Sequence, residues 1–130
     1  MFQADELLLA LRHASVRFVV IGGVAVGVHG YVRATKDLDI VPDPEQLAQG
    51  ANFRLETRLG PLDIMQWVAG IEEDPAYPAL ARQAITVPFR GEQLLVCGLN
   101  HLRAMKLAAG REEDLRDLRE LGPQGGSLLA

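Results

Sequence analysis

Phe18-Val19-Val20-Ile21-Gly22-Gly23-Val24-Ala25-Val26-Gly27-Val28-His29-Gly30-Tyr31-Val32-Arg33-Ala34-Thr35-Lys36-Asp37-Leu38-Asp39-Ile40-Val41 is the stretch whose reading decides the fold. It reads as a strand over Phe18–Ile21, a glycine turn at Gly22 and Gly23, a short buried helix over about Val24–His29, and a second strand carrying Asp37 and Asp39. Positions two apart on a strand face the same side, so the two carboxylates project together while Leu38 and Ile40 face the core. Carboxylates held side by side repel one another, and a dry interior does not tolerate them unpaired. A divalent cation resolves the conflict, and hard oxygen ligands of this kind suit Mg²⁺.

A strand that runs through Gly-Gly into a helix lets a ligand approach the backbone closely, with free N–H groups aimed at it, which makes a phosphate cradle. The pair alone is a weak signal. Followed by Asp-x-Asp on an apolar strand, it is a much stronger one. Together, Gly22-Gly23 and Arg33-x-Thr35-x-Asp37-Leu38-Asp39-Ile40 resemble the signature of the polymerase-β-type nucleotidyltransferase superfamily, and within it the small bacterial AbiEii-like, or minimal, branch. The superfamily's usual turn is Gly-Ser, and Gly23 stands here in place of the serine. Gly-Gly is frequent in the AbiEii-like and aminoglycoside-modifying branches, so the departure bears on the branch more than on the fold.

The resemblance implies an α+β fold, a small mixed β-sheet flanked by helices with further helices at the C-terminal end. It implies a two-ion Mg²⁺ site and an NTP as substrate. Asp37 and Asp39 would be ligands, and Asp63, in the apolar run Leu62-Asp63-Ile64-Met65-Gln66-Trp67, would be the third carboxylate on a neighbouring strand. A lone aspartate is disfavoured in a strand; the alternative reading is a strand-end acid that bonds a turn. Gly22 and Gly23 would cradle phosphates. Arg33 and Thr35 would touch the triphosphate or brace the acidic segment, against the plainer reading of a loop bonded by its own side chains.

A later run, Leu102-x-x-Met105-Lys106-x-x-Ala109-Gly110-Arg111-x-x-Asp114-Leu115-x-Asp117-Leu118, also resembles AbiEii-like proteins. It implies that Lys106 approaches the nucleotide phosphates and that Asp114 organises Lys106 and Arg111 or the base pocket. Against this stands an ordinary charged outer face with helix-spaced ion pairs. Asp117 is assigned to that solvated surface.

Composition sets the frame. The chain has 130 residues, 48% hydrophobic and 23% charged, an ordinary globular balance. Residues 1–121 are expected to form a single domain with 122–130 as a flexible tail. No apolar run reaches membrane-spanning length and no signal-peptide pattern opens the chain, so no membrane contact is expected. The single cysteine, Cys97, lies in an apolar run and reads as a buried thiol in a reducing cytoplasm. A net charge of −4 disfavours a broad nucleic-acid footprint. A local basic patch of Arg33, Lys36, Arg54 and Arg58 remains an alternative, with Arg54 and Arg58 read as scattered solvated charges. His29, alone among apolar neighbours, reads as a core or turn histidine.

The remaining elements follow from pattern. Residues 4–14 suit an opening helix with Leu7, Leu8 and Leu11 on its apolar stripe. Strands are expected at Phe53–Thr57 and Leu62–Trp67 about a turn at Gly60-Pro61, then a short helix at 79–84 and a hairpin of Ile85–Phe89 with Gln93–Cys97. Helices are expected from an Asn100 cap to Ala109 and over Glu112–Leu121. The 42–52 connection is shorter than in the family, where helices usually stand, and suggests a segment missing near Gln49–Gly50.

The expected activity is transfer of a nucleoside monophosphate from an NTP to an acceptor hydroxyl, with pyrophosphate released. The branch includes toxins that add nucleotides to tRNA ends, antitoxins that adenylylate a partner protein, and enzymes that modify aminoglycosides. RNA, protein and small molecule all stay open as acceptor, as does a place in a toxin–antitoxin or abortive-infection system. The small chain also leaves room for a partner protein or a homo-oligomer to complete the site. The rival from another class is a non-catalytic nucleotide- or partner-binding module that keeps the fold.

Overall fold

In the structure, a computed structural model, residues 2–47 and 50–122 are described. Gln49, beside which the sequence suggests a missing segment, and residues 123–130 of the expected flexible tail lie outside the described residues. Chain order is α1 (Ala4–His13), β1 (Phe18–Ile21), α2 (Gly22–Val28), β2 (Leu38–Pro42), β3 (Phe53–Thr57), β4 (Gly60–Ile64), α3 (Tyr77–Gln83), β5 (Ile85–Phe89), β6 (Glu92–Val96), α4 (Leu99–Ala109) and α5 (Glu112–Leu121). The strands form one mixed sheet in the order β3-β4-β2-β1-β6-β5. β1 pairs antiparallel with β2 and parallel with β6, and β2 pairs parallel with β4. This is the α+β architecture expected.

β1 sits at the centre because all four of its residues are apolar and buried, as a strand covered on both faces requires. α2 packs on β1 and β2, α3 on β1, and α4 against α2 and α5. Leu7 and Leu8 of α1, Val26 of α2, Leu80 of α3 and Leu102 of α4 join Val19, Val20, Leu38, Ile40 and Val96 in one core cluster. Both sheet edges are blunted, β3 by Arg54 and Glu56 and β5 by Pro88. Among the described residues, no helix is long and apolar enough to cross a membrane.

Three expectations are corrected. α2 begins at Gly22, with Ile21 as its N-cap, so the glycines form the first helical turn instead of a turn ahead of it. The β3–β4 hairpin turns at Arg58-Leu59, while Gly60 and Pro61 belong to β4 and Trp67 lies beyond the strand. The left-handed backbone that closes this hairpin falls on Gly60 (φ +118°), after the turn and not within it. Finally, α4 is capped by Gly98 and already includes Asn100.

Candidate functional site

Register builds the site. Ile21 stands opposite Asp39, Asp39 beside Asp63, and Asp63 opposite Arg54, so one row runs across β1, β2, β4 and β3. Asp37 precedes β2 by one residue and projects on the Asp39 side, while Leu38 and Ile40 are buried beneath. The Asp39 carboxylate lies against the Cα of Gly22, where any side-chain carbon would collide with it. The Thr35 hydroxyl presses on Gly23 in the same manner and donates to the Asp37 carbonyl at 3.3 Å.

Asp37, Asp39 and Asp63 can each turn one carboxylate oxygen into a group whose members lie within 4.8 Å of one another. Asp39 is the most enclosed of the three in electrostatic terms. Burial, then the charges of Asp37 and Asp63, push its carboxyl up to about 7, and Lys106 only partly offsets them. Its Oδ1 is buried with no hydrogen-bond partner. Asp63 is displaced the other way, held below the usual carboxylate range chiefly by Arg54. Arg54 donates from Nε to Asp63 Oδ1 at 2.7 Å, and from Nη2 to Asp63 Oδ2 at 2.8 Å and to Asp37 Oδ2 at 2.9 Å. The expectation that Arg54 is a scattered solvated charge is therefore overturned.

A second network closes the site from the C-terminal side. Lys106 of α4 sends its ammonium between Asp114 and Asp117 of α5, at 3.0 Å from each. Asp117 in turn accepts a forked pair from Arg33, at 2.8 and 2.7 Å. Asp114 accepts from the Arg111 side chain at 2.7 Å and from the Arg111 backbone N–H at 3.1 Å, which caps α5. Burial raises the carboxyls of Asp114 and Asp117, but their cationic partners hold both below the ordinary range. The surface assignment of Asp117 is wrong: its side chain is 0% exposed. On α5 the acids at 114 and 117 turn inward to meet buried cations, while Leu115 is left exposed.

Between these networks lies a charged cavity of about 380 Å³, lined by Asp37, Asp39, Asp63, Arg54, Lys106 and Arg111 among others. Gly23, Arg33 and Thr35 also reach it, and Gly22 lines the adjoining space. The expected carboxylate ligands and nucleotide-binding residues thus line this cavity or the space adjoining it, with Asp114 behind Lys106 and Arg111. Arg33 and Thr35 make bracing contacts with α5 and the acidic segment. His29 hydrogen-bonds the Cys97 carbonyl at 2.7 Å, away from the acids, and burial pushes the Cys97 thiol up to about 12. Sequence reading took Arg54 and Asp117 for solvated surface charges. The signal for Arg54 was the hairpin register, which makes it the partner of Asp63.

The donor set suits a hard cation. It consists of carboxylates alone, one buried oxygen lacks a partner, and the backbone beside it carries no side chain. No family model and no curated protein sequence matches the chain. Solved structures do. A candidate nucleotidyltransferase from Thermotoga maritima aligns with a TM-score of 0.60 at 21% identity, over 92% of this chain and 94% of its own. An antigenic nucleotidyltransferase-like protein from Paracoccidioides brasiliensis aligns with a TM-score of 0.59 at 14% identity, over 90% of this chain and 71% of its own. The chain has a nucleotidyltransferase-like fold.

Proposed function

We propose that this protein is a Mg²⁺-dependent nucleotidyltransferase that moves a nucleoside monophosphate from an NTP to an acceptor hydroxyl and releases pyrophosphate. The observation that carries the reading is the side-by-side register of Asp39 and Asp63, with Asp37 converging on them, at the mouth of a cation-walled cavity on a nucleotidyltransferase-like fold.

Asp37 and Asp39 would hold the ions, and Asp63 would share the second. Bound there, Mg²⁺ supplies charge neutralisation for the triphosphate and for the leaving group. The protein's own part is positioning. The bare backbone of Gly22 and Gly23 opens the first turn of α2 to phosphate oxygens, and that turn has no side-chain cap. Arg111, largely exposed on the cavity wall, and Lys106 at its floor add positive charge. Asp114 fixes both cations, and Arg33 and Thr35 fix the segment that presents the acids. Asp63, relieved of Arg54, takes the proton of the acceptor hydroxyl. The Lys106–Arg111–Asp114 constellation is what favours the AbiEii-like branch, and with it a toxin–antitoxin or abortive-infection setting in the cytoplasm.

One observation favours the non-catalytic rival: Arg54 already neutralises Asp63 and Asp37, as a resident countercharge would in a site that only binds. Incubation with each α-labelled NTP, Mg²⁺ and cell extract, beside the Asp37→Asn variant, separates the two. Label in RNA, protein or a small molecule that vanishes in the variant supports transfer and identifies the acceptor class. NTP binding without label in any acceptor supports the binding module.

A further inference from the structure

The charged cavity adjoins a second one of about 230 Å³, and Asp39, Met65, Lys106 and Arg111 line both. Their chemistry differs. The second cavity is walled by Trp67, Val68 and Ala69 on one side and by Leu102, Met105 and Ala109 of α4 on the other, and neither Asp37 nor Asp63 reaches it. Trp67 is the single tryptophan of the chain and is 52% exposed. Its half-open ring, apolar in body and set beside a polar site, offers a face on which a planar ligand can stack.

The indole sits on a fixed support. Asn52 Oδ1 accepts from the Gln66 backbone N–H at 2.8 Å, and Asn52 Nδ2 donates to the Trp67 carbonyl at 3.1 Å. Gly70 packs its Cα against the Ala104 carbonyl of α4. Residues 66–70 are therefore tied to the chain before β3 and to α4 at once. Apart from Asp39, which is shared with the charged cavity and keeps an unpartnered Oδ1, the polar side chains around this cavity are already engaged: Asn52 by the loop it supports, and Asp114 by Lys106 and Arg111. Few hydrogen-bonding edges are left to read a ligand.

We propose that this cavity takes the nucleobase of the NTP, stacked on Trp67 and held by apolar contact instead of edge recognition. The inference rests on the nucleotidyl-transfer reading, which puts the triphosphate in the charged cavity. The shared residues Asp39, Lys106 and Arg111 then form the threshold crossed by the ribose, and the apolar cavity is the continuation that suits a planar ring. Stacking tolerates all four bases because each has a π-face. The site accordingly admits every NTP, purines ahead of pyrimidines by virtue of their larger face.

The single tryptophan makes the test direct. The intact protein is titrated with each NTP and Mg²⁺ while Trp67 fluorescence and heat are followed, in parallel with inorganic tripolyphosphate, which has the charge but no base. Saturable quenching by all four NTPs, with affinities within about tenfold and no quenching by bound tripolyphosphate, is the expected result. Trp67→Ala should weaken NTP binding about tenfold or more and leave tripolyphosphate binding unchanged, which also reports that the variant is folded. Trp67→Phe should keep NTP affinity. NTP binding without quenching and with full affinity in Trp67→Ala would put the base elsewhere, and a preference of about a hundredfold for one base would mean edge recognition; either overturns the assignment. If neither NTP nor tripolyphosphate gives heat, the nucleotide reading itself falls and takes this one with it.

Discussion

Arg54 and Asp63 face each other across the β3–β4 pair and meet in a two-pronged ion pair, and the same guanidinium reaches Asp37 on the far side of Asp63. A cation shared by these carboxylates must compete with it. Arg54→Gln removes the competitor. Because the arginine is half exposed, screening keeps the gain modest, about tenfold in Mn²⁺ affinity by calorimetry. Equal affinities in the two proteins would show that the guanidinium and the cation do not contend for the same oxygens.

Asp117 should matter more to stability than Leu115, two residues earlier on the opposite face of the same helix. Asp117→Ala leaves Arg33 and Lys106 facing each other without their shared anion, and the expected loss in urea unfolding is about 3–5 kcal/mol. Leu115→Ala, at a site 41% exposed, should cost about 1 kcal/mol or less. The reverse order would mean that α5 docks by its leucines.

Asp39 gives the metal-free protein an unusual pH dependence. Its carboxyl is raised to about 7 in the fold, chiefly by burial, so the folded state holds a proton that the unfolded chain releases near the ordinary carboxylate value. Stability from this group is present in acid and is lost as pH rises from about 4 to about 7. Asp39→Asn, which stays neutral, should match the natural protein near pH 4 and exceed it in chelator at pH 7 and above. Added Mg²⁺ should close the gap by stabilising only the protein that carries the acid. Parallel stability curves for the two proteins across this window would contradict it.

Two glycines of one short helix should respond in opposite directions. Gly22 has φ +71° and no room for a side-chain carbon beside Asp39, so Gly22→Ala should destabilise by about 1–3 kcal/mol. Mn²⁺ affinity should fall with it. Gly27 is helical with open space around it, and Gly27→Ala should stabilise by about 0.4–1 kcal/mol. Thermal melts of the pair check both signs.

The acidic half of the site was legible because it is local. Gly22, Gly23, Asp37 and Asp39 lie within one strand–helix–strand passage, where the period of two fixes which side chains share a face. Asp63 was found because an acid in an apolar strand is conspicuous. What failed needed register or depth. A hairpin turning at Gly60-Pro61 would have set Arg58 opposite Asp63; the turn at Arg58-Leu59 sets Arg54 there, and a small slip exchanges one arginine for the other. Asp117 was misplaced for a different reason. A helix such as Glu112–Leu121 shows its leucines as the natural inward face, and nothing in its spacing reveals that Arg33, far earlier in the chain, and Lys106 wait underneath.

The bond between Arg33 and Asp117 joins the segment that presents the acids to the last helix of the described chain. During synthesis these two residues are made far apart in time. The growing chain carries Asp37 and Asp39 out of the ribosome with Arg33 still unanchored, since its buried counterion has yet to be made. The brace on the segment that presents the acids is completed only when α5 folds back onto α4 and Lys106 finds both of its partners. Whatever depends on that brace is therefore withheld from a chain whose α5 is still unmade.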